Sequence, residues 1–150
     1  MERLVKTLID KKMTIASCES LTGGLFASEF TKISGASNVF IGAYVTYQDV
    51  AKEILLDEKK ILENVGAVSK EMAKNMALKV KEKLKSDIAV SFTGNAGPLP
   101  SENKPVGLVY SCIIIEDKIY EFEDHYQGTR DEIRNLCIYD AKNRILEKIK

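Results

Sequence analysis

The chain has 150 residues, of which 45% are hydrophobic, and its 22 basic and 22 acidic residues give a formal net charge of +0. This length is typical of one domain, so we expect a single domain over residues 1–150. The balanced charge does not favour a nucleic-acid partner, and the longest nearly apolar run, 106–115, is too short to span a membrane. Three widely spaced cysteines and a charged N-terminal segment predict a cytoplasmic protein without a zinc or other metal site.

The spacing of apolar residues predicts alternating helices and strands through the first two thirds of the chain. These elements are predicted at 2–12 (helix), 14–17 (strand), 22–33 (helix), 39–47 (strand), 49–56 and 58–64 (helices), 70–85 (helix) and 87–93 (strand). A hairpin with strands at 106–115 and 118–126 and a final helix over 129–150 complete the chain. This order predicts an α/β fold, a three-layer α/β/α sandwich with a mixed sheet.

Ligands of such sheets bind at the loops that follow the strands, and the loops 18–24 and 94–105 have that position. The first of them, "CESLTGG", contains Ser20 close to the start of a predicted helix. Backbone N–H groups there could hold an oxyanion or a phosphate, and Gly23 and Gly24 would let a ligand approach the backbone. The alternative, which the pattern alone favours, is that Ser20 or Thr22 only caps the helix.

A serine nucleophile needs a base, and two kinds of residue could supply it. The only histidine, His125, is flanked by Asp124 and could complete a Ser-His-Asp triad, although a single strand histidine is more often a surface or packing residue. A lysine with a lowered pKa could serve instead. Lys52 begins a helix just after a predicted strand, but by pattern alone it is not distinguished from the other lysines.

Six motifs occur in order along the chain: "ESLTGG", "GASNVFIGAYVTYQDVAKEILL", "GAVS", "TGNAGP", "KPVG" and "GTRDEIR". Together they resemble the C-terminal domain of the CinA family, which also exists alone as nicotinamide-nucleotide amidase, and the resemblance covers most of the chain. It implies a three-layer α/β/α fold and a homo-oligomer, a dimer or larger. It also implies hydrolysis of the carboxamide of nicotinamide mononucleotide (NMN) to nicotinate mononucleotide and ammonia, with no metal and no cofactor.

The resemblance also implies roles for particular residues. The serine of the family's E-S-C-T-G-G motif matches Ser20, the expected nucleophile. The family's Y-S-N-x-A-K motif matches Lys52, the expected base, and Tyr47, which is expected to orient Lys52 or to share the proton transfer. The expected substrate-binding residues are Glu19, Thr22, Gly23, Gly24, Thr93, Gly94, Ala96, Gly97 and Arg130. Within that set, Arg130 is expected to pair with the substrate phosphate.

Several positions depart from the family pattern or keep two interpretations. Leu21 stands where the family has cysteine, Gln48-Asp49 replaces Ser-Asn, and Thr129 replaces an acid. The glycine-rich run after Pro98 becomes the stiffer "LPSEN", which bears on the choice of substrate.

The alternative function is therefore a catalytically silent nucleotide-binding or oligomerisation module, but a binding module needs neither a nucleophile nor a base. Arg134 is the alternative phosphate partner, and Glu19 is expected either to orient Lys52 or to bond the backbone.

Overall fold

A five-stranded mixed sheet forms the middle layer of the protein in a computed structural model that describes residues 1–150. Its strands are β1 (Ile15–Glu19), β2 (Phe40–Val45), β3 (Ile88–Gly94), β4 (Leu108–Ile115) and β5 (Lys118–His125). They lie in the order β2-β1-β3-β4-β5. Strand β1 runs parallel to both β2 and β3, whereas β3, β4 and β5 are successively antiparallel.

Six α-helices cover the two faces of this sheet. They are α1 (Glu2–Lys11), α2 (Leu25–Thr31), α3 (Asp49–Leu56), α4 (Lys59–Val65), α5 (Lys70–Leu84) and α6 (Arg130–Lys148). One hydrophobic core packs α1, α2 and α6 against one face, and a second packs α5 and the end of α3 against the other. The predicted three-layer α/β/α sandwich is therefore confirmed. No helix is both long and apolar enough to cross a membrane.

Burial on both faces explains the nearly continuous apolar runs of the central strands. In β1, Ile15 belongs to the first core and its neighbour Ala16 to the second, because successive strand residues point to opposite faces. All five residues of β1 are buried, including its last residue, Glu19. The strand therefore extends two residues beyond its predicted end at Ser17 and reaches the loop that contains Ser20.

The helix predicted at 22–33 begins instead at Leu25. Gly23 and Gly24 have φ angles of +57° and +97°, in the left-handed region that a right-handed helix excludes. The predicted strand 39–47 likewise ends at Val45, so the next two residues leave the sheet. The last register pair of the parallel ladder joins Glu19 of β1 to Val45 of β2.

The loops that follow β1 and β3 emerge at the same edge of the sheet because these strands are parallel neighbours. The N–H of Ser20 donates to the carbonyl of Phe92 at 3.0 Å, so the first loop lies directly on the end of β3. Strand β5 ends at this edge too, and α6 begins five residues later at Arg130. The edge therefore brings together segments that are far apart in the sequence.

Candidate active site

Ser20 and Lys52 are in contact at the edge of the sheet where the loops meet. The Nζ of Lys52 lies 3.1 Å from the Oγ of Ser20, 2.7 Å from the carbonyl oxygen of Thr46 and 3.4 Å from that of Tyr47. The side chains are nearly enclosed, since Lys52 is 1% and Ser20 8% exposed. A lysine buried this deeply without a carboxylate partner is rare in proteins and points to a chemical role.

Burial lowers the pKa of the Lys52 ammonium, and Asp49, Cys18 and Glu102 oppose that shift. The neutral amine has two N–H bonds and one lone pair. The carbonyl groups of Thr46 and Tyr47 can accept the two N–H groups. The lone pair is then left facing the Ser20 hydroxyl, which is the arrangement a general base requires.

Glu19 organises the loop that contains Ser20. Its buried carboxylate accepts from five donors at 2.7–3.1 Å: the hydroxyls of Ser17 and Thr22 and the backbone N–H groups of Gly24, Phe26 and Ala27. Of the two expected interpretations, the structure has the one in which Glu19 bonds the backbone. The carboxylate also caps α2, whereas neither Ser20 nor Thr22 does so, because the N-cap residue is Gly24 and it has no side chain.

Only part of the loop's backbone is free to meet a ligand. The N–H groups of Ser20, Gly23 and Gly24 donate to Phe92, Ser20 and Glu19 respectively. The N–H groups of Leu21 and Thr22 have no acceptor within the chain. Leu21 borders the cavity, so its N–H, directly after Ser20, is the loop's candidate donor to an oxyanion.

Arg130, at the start of α6, lies across the cavity mouth. Its Nη1 donates to the carbonyl of Gly97 at 2.6 Å, and its Nη2 donates to the hydroxyl of Tyr47 at 2.7 Å. Tyr47 therefore contacts Lys52 through its backbone carbonyl, while its side chain holds Arg130. Arg134 points elsewhere, because its guanidinium donates to the carbonyls of Leu21 and Thr22 and to Asp131. Of the two arginines, only Arg130 borders the cavity.

The cavity has a volume of about 400 Å³, which lies within the range of small-molecule sites, about 300–1,000 Å³. Its lining comes from the loops after β1, β2 and β3, from α3, from the turn before α5 and from the start of α6. The lining residues are Ser20, Leu21, Tyr47, Asp49, Lys52, Ala67, Val68, Thr93, Gly94, Asn95, Ala96, Gly97, Leu99, Ser101, Glu102 and Arg130. The hydroxyl of Thr93 donates to the carbonyl of Ala67 at 2.6 Å and keeps its oxygen available as an acceptor.

The loop after β3 is closed by its own polar side chains. The amide group of Asn95 donates to the carbonyls of Ser101 and Lys104 at 3.1 and 3.0 Å. The carboxylate of Glu102 accepts from the N–H groups of Ala67 and Val68 at 2.8 and 2.9 Å. These contacts hold the segment that replaces the family's glycine-rich run against the turn before α5.

The structure brings most of the expected site residues to this cavity, but four of them do not line it. Glu19 and Thr22 are fully buried beneath the loop and bond to each other. Gly23 and Gly24 serve the turn, where their positive φ angles are needed, and do not border the cavity. Glu19 and Thr22 therefore support the loop from below, whereas Gly23 and Gly24 form the turn at its end.

His125 takes no part in the site. It lies at the end of the outer strand β5, where its Nε2 is 3.1 Å from Glu123, and it does not border the cavity. Asp124 forms a two-bond ion pair with Arg144. A Ser-His-Asp triad is therefore ruled out for this arrangement of the chain.

Two carboxylates that line the cavity, those of Asp49 and Glu102, are not among the residues that the sequence predicts for the site. Both stand among the positions that depart from the family pattern, which is the one signal that could have identified them. The sequence does predict that backbone N–H groups of the "CESLTGG" loop could hold an oxyanion, and the structure leaves those of Leu21 and Thr22 without an acceptor within the chain.

Comparison with known proteins identifies the family. A family model described as "CinA C-terminal domain" matches residues 1–149. The chain is similar to "Protein MG115 homolog" of Mycoplasma pneumoniae, with 44% identity over 90% of this chain and 87% of that protein. It is also similar to a CinA-like protein of Petrotoga mobilis, with 42% identity over 98% of this chain but only 37% of that protein.

Solved structures share the fold. The crystal structure of a competence-damaged protein (CinA) superfamily protein from Klebsiella pneumoniae matches with a TM-score of 0.95 and 24% identity, covering 99% of this chain and 94% of that one. At that identity the likeness concerns the fold alone. The family match over nearly the whole chain and the relatives above 40% identity show family membership as well as the fold. The chain belongs to the CinA C-terminal domain family.

Proposed function

We propose that the protein hydrolyses the carboxamide of NMN to nicotinate mononucleotide and ammonia, with Ser20 as the nucleophile and Lys52 as the base. The observation that carries this proposal is the 3.1 Å contact between the Ser20 hydroxyl and the buried Lys52 amine. Family membership supports the choice of substrate, because the family includes nicotinamide-nucleotide amidases.

The proposed reaction begins with transfer of the Ser20 hydroxyl proton to the neutral Lys52 amine while Oγ attacks the carboxamide carbon. The carbonyl oxygen gains the negative charge, and the N–H of Leu21 donates to it. Lys52 then returns the proton to the amide nitrogen, the C–N bond breaks, and ammonia leaves an acyl group on Ser20. A water molecule, deprotonated by Lys52, attacks this ester and releases the carboxylate and the Ser20 hydroxyl.

Arg130 is proposed to bind the phosphate group. Its two hydrogen bonds to Gly97 and Tyr47 hold the guanidinium at the cavity mouth and leave further N–H groups free. A guanidinium held in one orientation suits a phosphate, because it can donate two parallel hydrogen bonds. The thiols are not candidates for the nucleophile, since burial raises the pKa of Cys18 beneath the site to about 12.

The test is to incubate the purified protein with NMN and to measure ammonia and nicotinate mononucleotide. We expect Ser20→Ala and Lys52→Ala to lower the rate at least about 100-fold, because each removes one partner of the proton transfer. Ser28→Ala and Lys60→Ala, at positions outside the cavity, are the matched controls and should keep full activity. Equal ammonia release by all five proteins would refute the proposal. Calorimetric binding of NMN without any release of ammonia would favour the silent binding module.

The phosphate role of Arg130 has a separate test. The affinities for NMN and for nicotinamide riboside, which lacks the phosphate, are compared in the wild type, in Arg130→Ala and in the control Arg3→Ala on the exposed face of α1. We expect Arg130→Ala to weaken NMN binding about 10- to 100-fold and to leave the riboside nearly unaffected. An unchanged preference for the phosphorylated ligand would rule out this role.

A further inference from the structure

Glu102 presents a fixed negative charge to the cavity. Its two oxygens accept from consecutive backbone N–H groups, those of Ala67 and Val68. The turn below is closely packed, since a Cβ on Gly66 would lie 2.7 Å from the Glu102 carboxylate. The nearest cation, the ammonium of Lys104, is 3.9 Å away and also donates to the carbonyl of Val68. The carboxylate is therefore held in place while its charge is only partly offset.

Asp49 presents a second negative charge to the cavity. It stands in the first turn of α3, three residues before Lys52, and borders the same cavity. Its carboxylate forms no side-chain hydrogen bond and no ion pair. The start of a helix tolerates such a charge, but a stabilising role for the helix does not require it to face a ligand cavity.

These two carboxylates make the cavity an unusual receptor for a phosphorylated ligand. Lys52 is neutral when it acts as base, so Arg130 is the one full positive charge of the lining and stands against two negative ones. The two carboxylates would disfavour binding of a phosphorylated ligand, unless a positively charged part of the same ligand lies next to them. The pyridinium ring of NMN is positively charged and bears the carboxamide, so it must lie next to Ser20 and Lys52.

We propose that Glu102 and Asp49 are specificity-determining residues that select a substrate whose carboxamide ring is positively charged, while Arg130 takes the phosphate. This inference rests on the proposed function. Both residues line the same cavity as Ser20 and Lys52, where the ring must lie. Both carboxylates also raise the pKa of the Lys52 ammonium. A neutral aromatic carboxamide of the same shape would displace water from both carboxylates without supplying an opposite charge in its place.

The test compares NMN with benzamide riboside 5′-monophosphate, in which a ring carbon replaces the charged nitrogen. Binding is measured by calorimetry in the Ser20→Ala background, where the substrate is not consumed. We expect NMN to bind at least about tenfold more tightly than the neutral ligand. Glu102→Gln and Asp49→Asn should each reduce that ratio about tenfold, which is about 1.4 kcal/mol, and the exposed control Asp117→Asn should not change it. The ratio of the affinities for NMN and for the neutral ligand should also fall towards one at high salt.

The two variants separate charge selection from a structural role. Asp49→Asn removes a carboxylate that forms no side-chain hydrogen bond and no ion pair, so we expect the fold to be unchanged. Equal weakening of both ligands by Glu102→Gln, together with an unchanged ratio in Asp49→Asn, would overturn the inference. Failure of both ligands to bind would overturn it as well.

If wild-type protein releases no ammonia from NMN but the ratio behaves as expected, the proposed function fails and the charge selection stands. If it releases ammonia but the ratio is unchanged in both variants, the proposed function stands and the charge selection fails.

Discussion

Replacing Glu19 by glutamine tests the idea that one buried carboxylate holds the nucleophile loop in place. The glutamine amide has one acceptor oxygen, whereas the carboxylate has two, and its NH2 group is itself a donor. At the position of Oε1 the NH2 group would face the N–H of Ala27, which now donates to that oxygen at 3.0 Å. At the position of Oε2 it would face the N–H groups of Gly24 and Phe26.

The less costly orientation places the NH2 group at the position of Oε1. The hydroxyl of Ser17 can then rotate and accept a hydrogen bond from the NH2 group, so only the backbone N–H of Ala27 is left without an acceptor. An unsatisfied buried group costs about 1–3 kcal/mol, so Glu19→Gln should lower the free energy of unfolding by about that amount. Glu19→Ala would strand three backbone N–H groups, a cost of about 3–9 kcal/mol. That cost is comparable to the whole stability of a typical domain, about 5–15 kcal/mol.

Urea unfolding measures the change in stability, and the release of ammonia from NMN measures the effect on Ser20. A displacement of Ser20 by a fraction of an ångström should lower kcat/KM about 10- to 100-fold. The matched control is Glu29→Gln on α2, which loses a partly exposed ion pair with Lys32 and should cost less than about 1 kcal/mol. If Glu19→Gln has the control's unfolding midpoint and full activity, Glu19 does not hold the loop.

Three further perturbations have distinct expected results. Because burial lowers the pKa of Lys52 and the Asp49 carboxylate opposes that shift, Asp49→Asn should move the acidic limb of the pH profile of kcat/KM to lower pH. Arg134→Ala removes donors to two carbonyls of the nucleophile loop, so kcat should fall about 10-fold with little change in KM. Ile54 of α3 is 75% exposed, and Ile41 and Val45 of the outer strand β2 are exposed as well, and we expect these apolar side chains to mediate self-association. Ile54→Glu should therefore shift the sedimentation coefficient towards that of the monomer.

Each of these has a contrary outcome. An acidic limb that stays in place in Asp49→Asn would mean that Asp49 does not influence Lys52, and Asp117→Asn in the hairpin turn is the charge-matched control. An Arg134→Ala variant that loses substrate affinity but keeps kcat would assign Arg134 to binding. A wild-type protein that sediments as a monomer at all concentrations would contradict the surface assignment for Ile54.

The sequence was sufficient to predict the layers of the fold, because strands buried on both faces and amphipathic helices have recognisable periods. The predicted start of α2 was wrong by three residues, although Gly23-Gly24 signals left-handed backbone that a helix cannot include. Motif order linked Ser20 to Lys52, which periodicity could not do. The hydrogen bond from the Ala67 N–H to Glu102 was not predictable, since 35 residues separate the two and no periodicity relates them.

The parallel pairing of β1 with β2 sets the distance between Ser20 and Lys52. Ser20 follows the last residue of β1, and the carbonyl that holds Lys52 belongs to Thr46, whose own N–H donates to the carbonyl of Glu19 at 2.8 Å. A shift of one residue along a strand moves its end by about 3.3 Å and exchanges its two faces. A single-residue deletion inside β2 would therefore separate Ser20 from Lys52, even in a molecule that kept all its helices.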